Sequence, residues 1–517
     1  MNHSDQHHQN IPPESKPYWR EDIDIPTFSA MTEDQETEVA IIGGGITGIT
    51  TAYLLMKEGV RVTLIEAGQL FNGTTGHTTA KVTAQHSLIY NELLSHLGHE
   101  QAKKYYEASS NALNFIQQTV EQQNIDCDFI KQDAYVYATT QQKAKQIEKE
   151  GQAYEVLGIN GGLTSSLPIW LPIESAVVMH NQAQFHPLKY VKSLTEAFVD
   201  GGGKIYEQTT AVDLKKGTKP IITMRNGAKL TCDHVVSCSH FPFHDGIGFY
   251  FSRMYQERSY IVAVKPKHEY AGGMYINAES PSRSLRSTPT SNGPLILVGG
   301  ENHKTGQGIN TMRHYEALAS FAKETLNADD IVYRWSAQDL TTMDNIPYIG
   351  PLTSGDNNIF VATGFRKWGM TNSTVAAQLL CDQVLNRENP YRDVFVPSRF
   401  HADPSVRKWI STNADVAGHF VAGKVGMKDR HPEDLRLGEG AHVNVHGKKA
   451  AGYRDEDGKL HLLDATCTHM GCEVEWNEAE RSWDCPCHGS RFNIDGEVLN
   501  EPADKPLAKI EDEHREA

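Results

Sequence analysis

The sequence predicts an α/β (α+β) chain with a second domain interleaved in the first, followed by a small all-β domain. Three observations carry this. Glu38 to Ala67 reads as strand, glycine turn, helix and strand, a complete βαβ unit. Short strands then alternate with helices as far as about Phe395, with glycines at the joins, as at Gly201 to Gly203 and Gly299 to Gly300. From Ala441 onward the pattern changes to short strands separated by Gly- and Asp-rich turns, such as Asp455-Glu456-Asp457-Gly458, which is the signature of an antiparallel β domain.

Length and composition agree with several domains. A chain of 517 residues exceeds the size at which single cores stop growing. With 39% hydrophobic and 22% charged residues it has the make-up of a soluble globular protein. The longest apolar stretch, Val39 to Met56, is interrupted by Gly43, Gly44, Gly45 and Gly48, so no transmembrane segment is expected. Met1 to Glu21 is polar and lacks the layout of a signal peptide, which makes a cytoplasmic location the expectation. His3, His7 and His8 read there as solvated polar residues. A net charge of -16 excludes nucleic acid as a partner, since phosphates would be repelled. Arg430 to Ala517 holds 11 basic and 20 acidic residues, and 11 - 20 = -9 suggests either docking to a basic partner or a solvated face.

The expected division is a polar leader over 1–36, a large α/β domain over 37–398, a connector over 399–429 and a β domain over 430–517. Within the second of these, a helical region is expected from about Tyr90 to Glu155, with Tyr106, Leu113 and Ile116 at helical spacing.

Gly43-x-Gly45-x-x-Gly48 follows the apolar strand Val39 to Ile42 and opens the helix Ile46 to Lys57. Such glycines let the chain turn tightly and let amides at the helix N-terminus approach a pyrophosphate, the Rossmann-like arrangement. Gly44, Ile46 and Thr47 belong to the same turn, and Glu66 ends the next strand 66 - 48 = 18 residues later, where an acid accepts from a ribose hydroxyl. Asn72 to Gln85, N-G-T-T-G-H-T-T-A-K-V-T-A-Q, resembles the second loop of the glycine and D-amino-acid oxidase-like (DAO) flavoproteins, and this resemblance implies FAD. It brings Thr74, Thr75 and His77 to the cofactor. Tyr348-Ile349-Gly350-Pro351 through Thr371 resembles the same family's C-terminal flavin motif, which adds Gly364, Lys367, Gly369, Met370 and Thr371. Phe185-His186-Pro187 and Thr210-Ala211-Val212-Asp213 are similar to further landmarks, Val212 beside the adenine. Lys367 reads either as a cation near the flavin pyrimidine edge or as a surface lysine. Gly73-Thr74-Thr75-Gly76-His77-Thr78 also resembles the G-T-T-W-H-T stretch of dimethylglycine and sarcosine dehydrogenases, where the histidine carries FAD covalently, with Gly76 replacing the tryptophan.

Four of the eight cysteines fall between residues 467 and 487, in Cys467-Thr468-His469-Met470-Gly471-Cys472 and Cys485-Pro486-Cys487-His488-Gly489-Ser490. C-x-H and C-x-x-H pairs suit a [2Fe-2S] centre with Cys467 and Cys485 on one iron and His469 and His488 on the other. Tetrahedral zinc is the competing reading. The two boxes closely resemble those of the Rieske proteins of quinol-oxidising cytochrome complexes, C-T-H-x-G-C and C-P-C-H-G-S, and this implies the iron–sulfur cluster and a disulfide between Cys472 and Cys487. A disulfide sits uneasily with a reducing compartment unless buried beside the cluster. Glu501-Pro502-Ala503 resembles the proline loop that covers the cluster in those proteins. Ser490 matches their hydroxyl donor to the cluster, while Phe492 stands where they carry a tyrosine, so a lower potential is expected. Cys127, Cys232, Cys238 and Cys381 show no paired spacing.

Together the resemblances imply a flavoprotein dehydrogenase that oxidises a small amine or amino acid and passes electrons singly from FAD to its own Rieske cluster. The outgoing acceptor would be a protein or a quinone. Arg253, Tyr255, Arg258 and Tyr260 lie where the family builds its substrate face, although a guanidinium there also serves as a structural ion pair. No catalytic acid or base is named. The rival reading is an electron-transfer component fed by a partner reductase without an amine substrate; a third is a redox sensor using the disulfide. The connector is expected to hold the acceptor centre at high local concentration beside the flavin.

Overall fold

The computed structural model describes residues 11–510 except 22, 309, 400–407, 410, 411, 417 and 420–429, so His3, His7, His8 and most of the expected connector lie outside the described residues. Its first layer is a six-stranded sheet in the order Tyr348–Pro351, Ile359–Thr363, His234–Ser237, Val39–Ile42, Val62–Ile65, Lys204–Tyr206. All neighbours run parallel except the first two strands. Val39–Ile42 is central and wholly buried, which is why it reads as an unbroken apolar run rather than an alternating one. The helices Ile46–Lys57 and Gly369–Val384 pack against each other beside this sheet, joined by a hydrogen bond from Thr47 Oγ1 to Ser373 Oγ of 2.9 Å. A second sheet of four strands, with Ala211–Lys215 at one edge and Gln35–Glu36 at the other, flanks the dinucleotide-binding layer.

The interleaved domain is a nine-stranded sheet whose longest members are Ile331–Thr342, Met254–Val264, Leu295–Lys304, Ser175–Gln184 and Ile130–Ala138. Its Ile130–Ala138 strand corrects the continuous helical region expected from Tyr90 to Glu155. That stretch is the helix Tyr90–Gln122, the strand, and the helix Gln141–Leu157. Ala134, Val136 and Ala138 alternate towards the core, and the strand pairs with Ser175–Gln184 on one side and Met274–Asn277 on the other. A two-residue period within a polar, lysine-rich context was outweighed by the helical spacing around it.

The expected leader joins the body from Ile11 onward. Tyr18 and Trp19 are buried, and the Trp19 indole N–H donates to Thr78 O at 2.7 Å. Arg334 donates to the carbonyls of Pro12 and Pro13, which pins the start of this segment along the nine-stranded sheet.

The C-terminal β domain has a three-stranded sheet, Gly440–Val445, Lys448–Arg454 and Leu460–Asp464, and a four-stranded one, Glu475–Asn477, Ser482–Asp484, Arg491–Phe492 and Val498–Asn500. Trp483, Phe492, Cys467 and Cys485 form its core, each at most 2% exposed. Among the described residues no helix is long and apolar enough to cross a membrane.

Candidate functional site

One cavity of about 670 Å³ runs along the carboxyl ends of the six-stranded sheet and under the nine-stranded one. At its dinucleotide end the glycine turn does what its spacing implies. Gly43 has φ +110° and a Cβ there would lie 2.5 Å from Cys238 O. A Cβ on Gly48 would lie 2.0 Å from Gly43 O, so Gly48 serves close helix-to-strand packing and does not line the cavity. The helix from Ile46 has Gly45, which offers no capping side chain, at its N-cap; Ile46 N donates to Thr75 Oγ1 at 3.0 Å, and Gly45, Ile46 and Thr47 face the cavity. Glu66 accepts from Gly44 N at 2.7 Å and Gly68 N at 2.8 Å, and burial raises it.

The other expected contacts divide. Thr74, Thr75, His77, Lys367, Gly369 and Met370 line the cavity. Val212 does not; Thr209, Thr210 and Ala211 do, because the wall is the entry to the strand rather than the strand itself. Gly364, at φ +75°, also lies behind the wall, where a Cβ would meet Thr342 Cγ2 at 2.4 Å. Thr371 clamps two segments together, with Oγ1 accepting from Thr83 N at 3.1 Å and donating to Thr83 O at 2.8 Å. His77 Nδ1 is 2.9 Å from Gly73 O. Gly76 leaves no room for a larger residue, since a Cβ would sit 2.4 Å from Phe71 O, which explains the glycine in place of tryptophan.

At the far end, Lys367 pairs with Glu257 at 3.8 Å beside Asp339, whose carboxyl burial pushes up to about 7. Lys81 contacts only hydroxyls, Ser284 Oγ at 3.0 Å and Thr79 Oγ1 at 3.3 Å, and burial lowers it to about 7. It has no carboxylate partner among the described residues. Sequence reasoning passed over Lys81 because nothing local distinguishes it from a surface lysine.

The cluster loops lie against this body. Cys472 and Cys487 form a disulfide, while Cys467 and Cys485 are free and buried. The Cys485 thiol, hydrogen-bonded to Cys467, brings that cysteine down to about 7 despite burial, with Ser490 assisting. Burial, and His469 beside it, hold His488 neutral at about 4. The two imidazoles meet edge to face with centroids 5.1 Å apart, and His469 Nδ1 is buried without a hydrogen-bond partner among the described residues. An orphaned imidazole nitrogen beside a neutral histidine and two free thiols fits a Cys2His2 cluster donor set. The sulfurs of Cys472, Cys485 and Cys487 also lie within 4.8 Å of one another, but two of them are spent in the disulfide. Phe251 of the larger body meets both cluster histidines edge-on, at 5.8 Å from His469 and 5.4 Å from His488.

Of the residues expected at a substrate face, Arg258 turns the other way. It is buried against Glu480 of the β domain at 3.5 Å, the structural ion pair that was its alternative. Arg253 stacks on Tyr348 at 4.4 Å and donates to Pro397 O. Burial raises Tyr255 to about 12, and only Tyr260 reaches the cavity lining. Tyr260 OH lies 2.9 Å from His303 Nε2.

Comparison with known proteins agrees with this geometry. The family model for FAD dependent oxidoreductases (DAO) matches residues 38–383, and that for the Rieske [2Fe-2S] domain matches 427–511. YhfW of Bacillus subtilis (strain 168), named only as a Rieske 2Fe-2S iron-sulfur protein, is 52% identical over 98% of this chain and 99% of its own. The chloroplastic cytochrome b6-f complex iron-sulfur subunit of Fritillaria agrestis is 35% identical over 18% of this chain and 40% of its own. The crystal structure of glycine oxidase from Geobacillus kaustophilus shares the fold, with TM-score 0.60 and 18% identity over 71% of this chain and 99% of its own. The chain belongs to the FAD dependent oxidoreductase (DAO) family and carries a Rieske [2Fe-2S] domain at its C-terminal end.

Proposed function

We propose that this oxidoreductase dehydrogenates a small amino acid or amine and passes the electrons from FAD to its own Rieske cluster, and from there to a one-electron acceptor protein or quinone. When bound, FAD supplies a two-electron oxidant able to hold one or two electrons, and the cluster supplies a one-electron carrier. The observation that carries the reading is the docking of the cluster histidines on the flavin domain through Phe251. Gln338 Nε2 donates to Gly489 O at 2.8 Å inside the second cluster loop, and Gln338 O accepts from Thr74 Oγ1 at 3.2 Å in the cavity wall. One residue thus touches both sites. With the histidine face covered, Met470, 51% exposed in the first cluster loop, marks the side left open to an acceptor.

The chain's own residues support a substrate over a purely electron-relaying role. Lys81 has hydroxyl neighbours and no carboxylate partner among the described residues; a bound carboxylate would favour its charged form, which suits an amino acid within the expected class. Asp339, raised to about 7 by burial, can hold a proton near the operating range, with Lys367 beside it in the same cavity. The glycine oxidase fold relationship is consistent with such a substrate class.

Rapid anaerobic mixing of the holoprotein with an amino-acid and amine panel tests this, read at flavin and cluster bands. Flavin bleaching followed by cluster reduction within the same turnover is expected, as is slow turnover of an external acceptor in Cys467→Ser. A cluster that stays oxidised while the flavin is reduced sinks the coupling. A flavin reduced by no panel member, but readily by a partner reductase, sinks the substrate and favours the relay.

A further inference from the structure

The cavity that takes the dinucleotide is closed by the other domain. Residues 497–504 of the iron–sulfur domain line it together with Gly45, Glu66 and the 209–211 segment. This stretch is held at its C-terminal end. Arg225, itself in the cavity wall, donates from Nη2 to Asp504 O at 2.7 Å, and Ala503 N donates to Ser490 Oγ at 3.0 Å in the second cluster loop. Just ahead of these anchors Glu501 lines the cavity, close enough to Glu66 to feel its charge, and no other described residue supplies its carboxyl with a partner.

From this geometry we infer that the segment Glu497 to Asp504 is the lid of the FAD site, with Glu501 accepting a hydrogen bond from a hydroxyl or amino group of the adenosine half. Two neighbouring carboxylates suit the donors of a ribose or an adenine amine and would repel a diphosphate, which belongs at the helix N-terminus near Gly45. The lid is anchored to a cluster loop and to a flavin-domain arginine, so the two cofactor sites are one assembly. FAD holds the iron–sulfur domain down, and by reciprocity the docked domain holds FAD in place.

The inference rests on FAD occupying this cavity, and the test separates the two. Full-length, cluster-loaded protein is prepared flavin-free from riboflavin-starved cells, so that covalent attachment does not interfere. FAD affinity is read by quenching of flavin fluorescence, iron content is read alongside, and amide exchange over 497–504 is followed with and without FAD. Glu501→Ala and Arg225→Met are each expected to weaken FAD by about tenfold at unchanged iron content, the loss of one hydrogen bond to a charged group. Glu501→Gln, which still accepts, is expected to lose less than Glu501→Ala. FAD is expected to slow exchange across the segment. Gly45→Val, whose side chain would fill the pyrophosphate mouth, serves as the control and should abolish binding. Loss of FAD in Gly45→Val with affinity unchanged in both Glu501→Ala and Arg225→Met overturns the lid and leaves the cavity assignment standing. Unchanged affinity in all three places FAD elsewhere and overturns both.

Discussion

Replacing Glu480 with alanine should loosen the iron–sulfur domain from the flavin domain more than any other single truncation at their boundary. Its carboxylate reaches from the β domain into the larger body, where it accepts from Tyr315 OH at 2.8 Å and Ser15 Oγ at 3.1 Å and pairs with Arg258 at 3.5 Å. The Arg258 and Glu480 side chains are 4% and 7% exposed. Burial alone would raise the Glu480 carboxyl, yet Arg258 and Arg491, with hydrogen bonds from Ser336 and Tyr315, bring it from 4.5 to about 2. A shift of 4.5 - 2 = 2.5 corresponds to about 3 kcal/mol at 1.36 kcal/mol for each pH unit, in line with the ~3–5 kcal/mol for breaking a buried pair. Because the folded value is depressed, this contribution is complete at neutral pH, declines as pH falls below about 4.5 and is gone once pH passes below about 2. Amide exchange at Ala479, whose N–H donates to Thr311 Oγ1 across the boundary at 3.0 Å, reports opening directly. About 3 kcal/mol predicts exchange faster by roughly a hundredfold in Glu480→Ala at pH 7. Arg258→Met combined with Glu480→Leu should recover most of that loss, since an apolar pair replaces a buried ion pair at little net cost. Exchange within about threefold of the parent in Glu480→Ala would refute the reasoning.

Two further outcomes follow from single sites. Phe492→Tyr, in the cluster core beside Cys467 and Cys485, should raise the midpoint potential and Ser490→Ala should lower it, each by about 60 mV for one hydrogen bond on a one-electron couple, as measured by redox titration of the cluster signal; shifts of opposite sign would show a differently bonded cluster. Lys81→Met should raise KM for carboxylate-bearing substrates by roughly tenfold or more while leaving amines without a carboxylate little changed, and equal losses for both classes would remove Lys81 from substrate recognition.

What could be read from the sequence was local. The glycine turn and the two cluster boxes each place their chemistry within a few residues, so spacing alone carries the geometry. Long-range juxtaposition is where reading stopped. Phe251 lies far from His469 in the chain, and nothing in Tyr250-Phe251-Ser252-Arg253 says that an iron–sulfur loop will land on it. Arg258 looked like a substrate residue because strand alternation could not say what covers each face; the covering element is Glu480, 222 residues later. Val212 itself is not in the cavity wall, which its neighbour Ala211 lines. Glu501 was read for its place over the cluster, and its other neighbour, the dinucleotide cavity, is visible only once the domains are docked.

That docking changes what the connector has to do. A tether raises the local concentration of two modules that otherwise come apart, whereas here the backbones themselves touch. Gly306 of the flavin domain has φ +72°, and a Cβ there would lie 2.5 Å from Pro486 N in the second cluster loop. Gly489, also at φ +72°, would place its Cβ 2.6 Å from Gln256 Cγ. Two glycines, one on each side of the boundary, thus permit an approach that any side chain would prevent. A domain that swings between partners has no use for contact this close at its cluster loop, because every excursion would break it along with the Gln338 and Glu480 bonds. A domain that must keep one separation between its cluster and a neighbouring flavin gains from it directly. The boundary therefore fits the proposed transfer at constant distance, with Phe251 of the flavin domain set against His469 and His488 and Met470 left exposed.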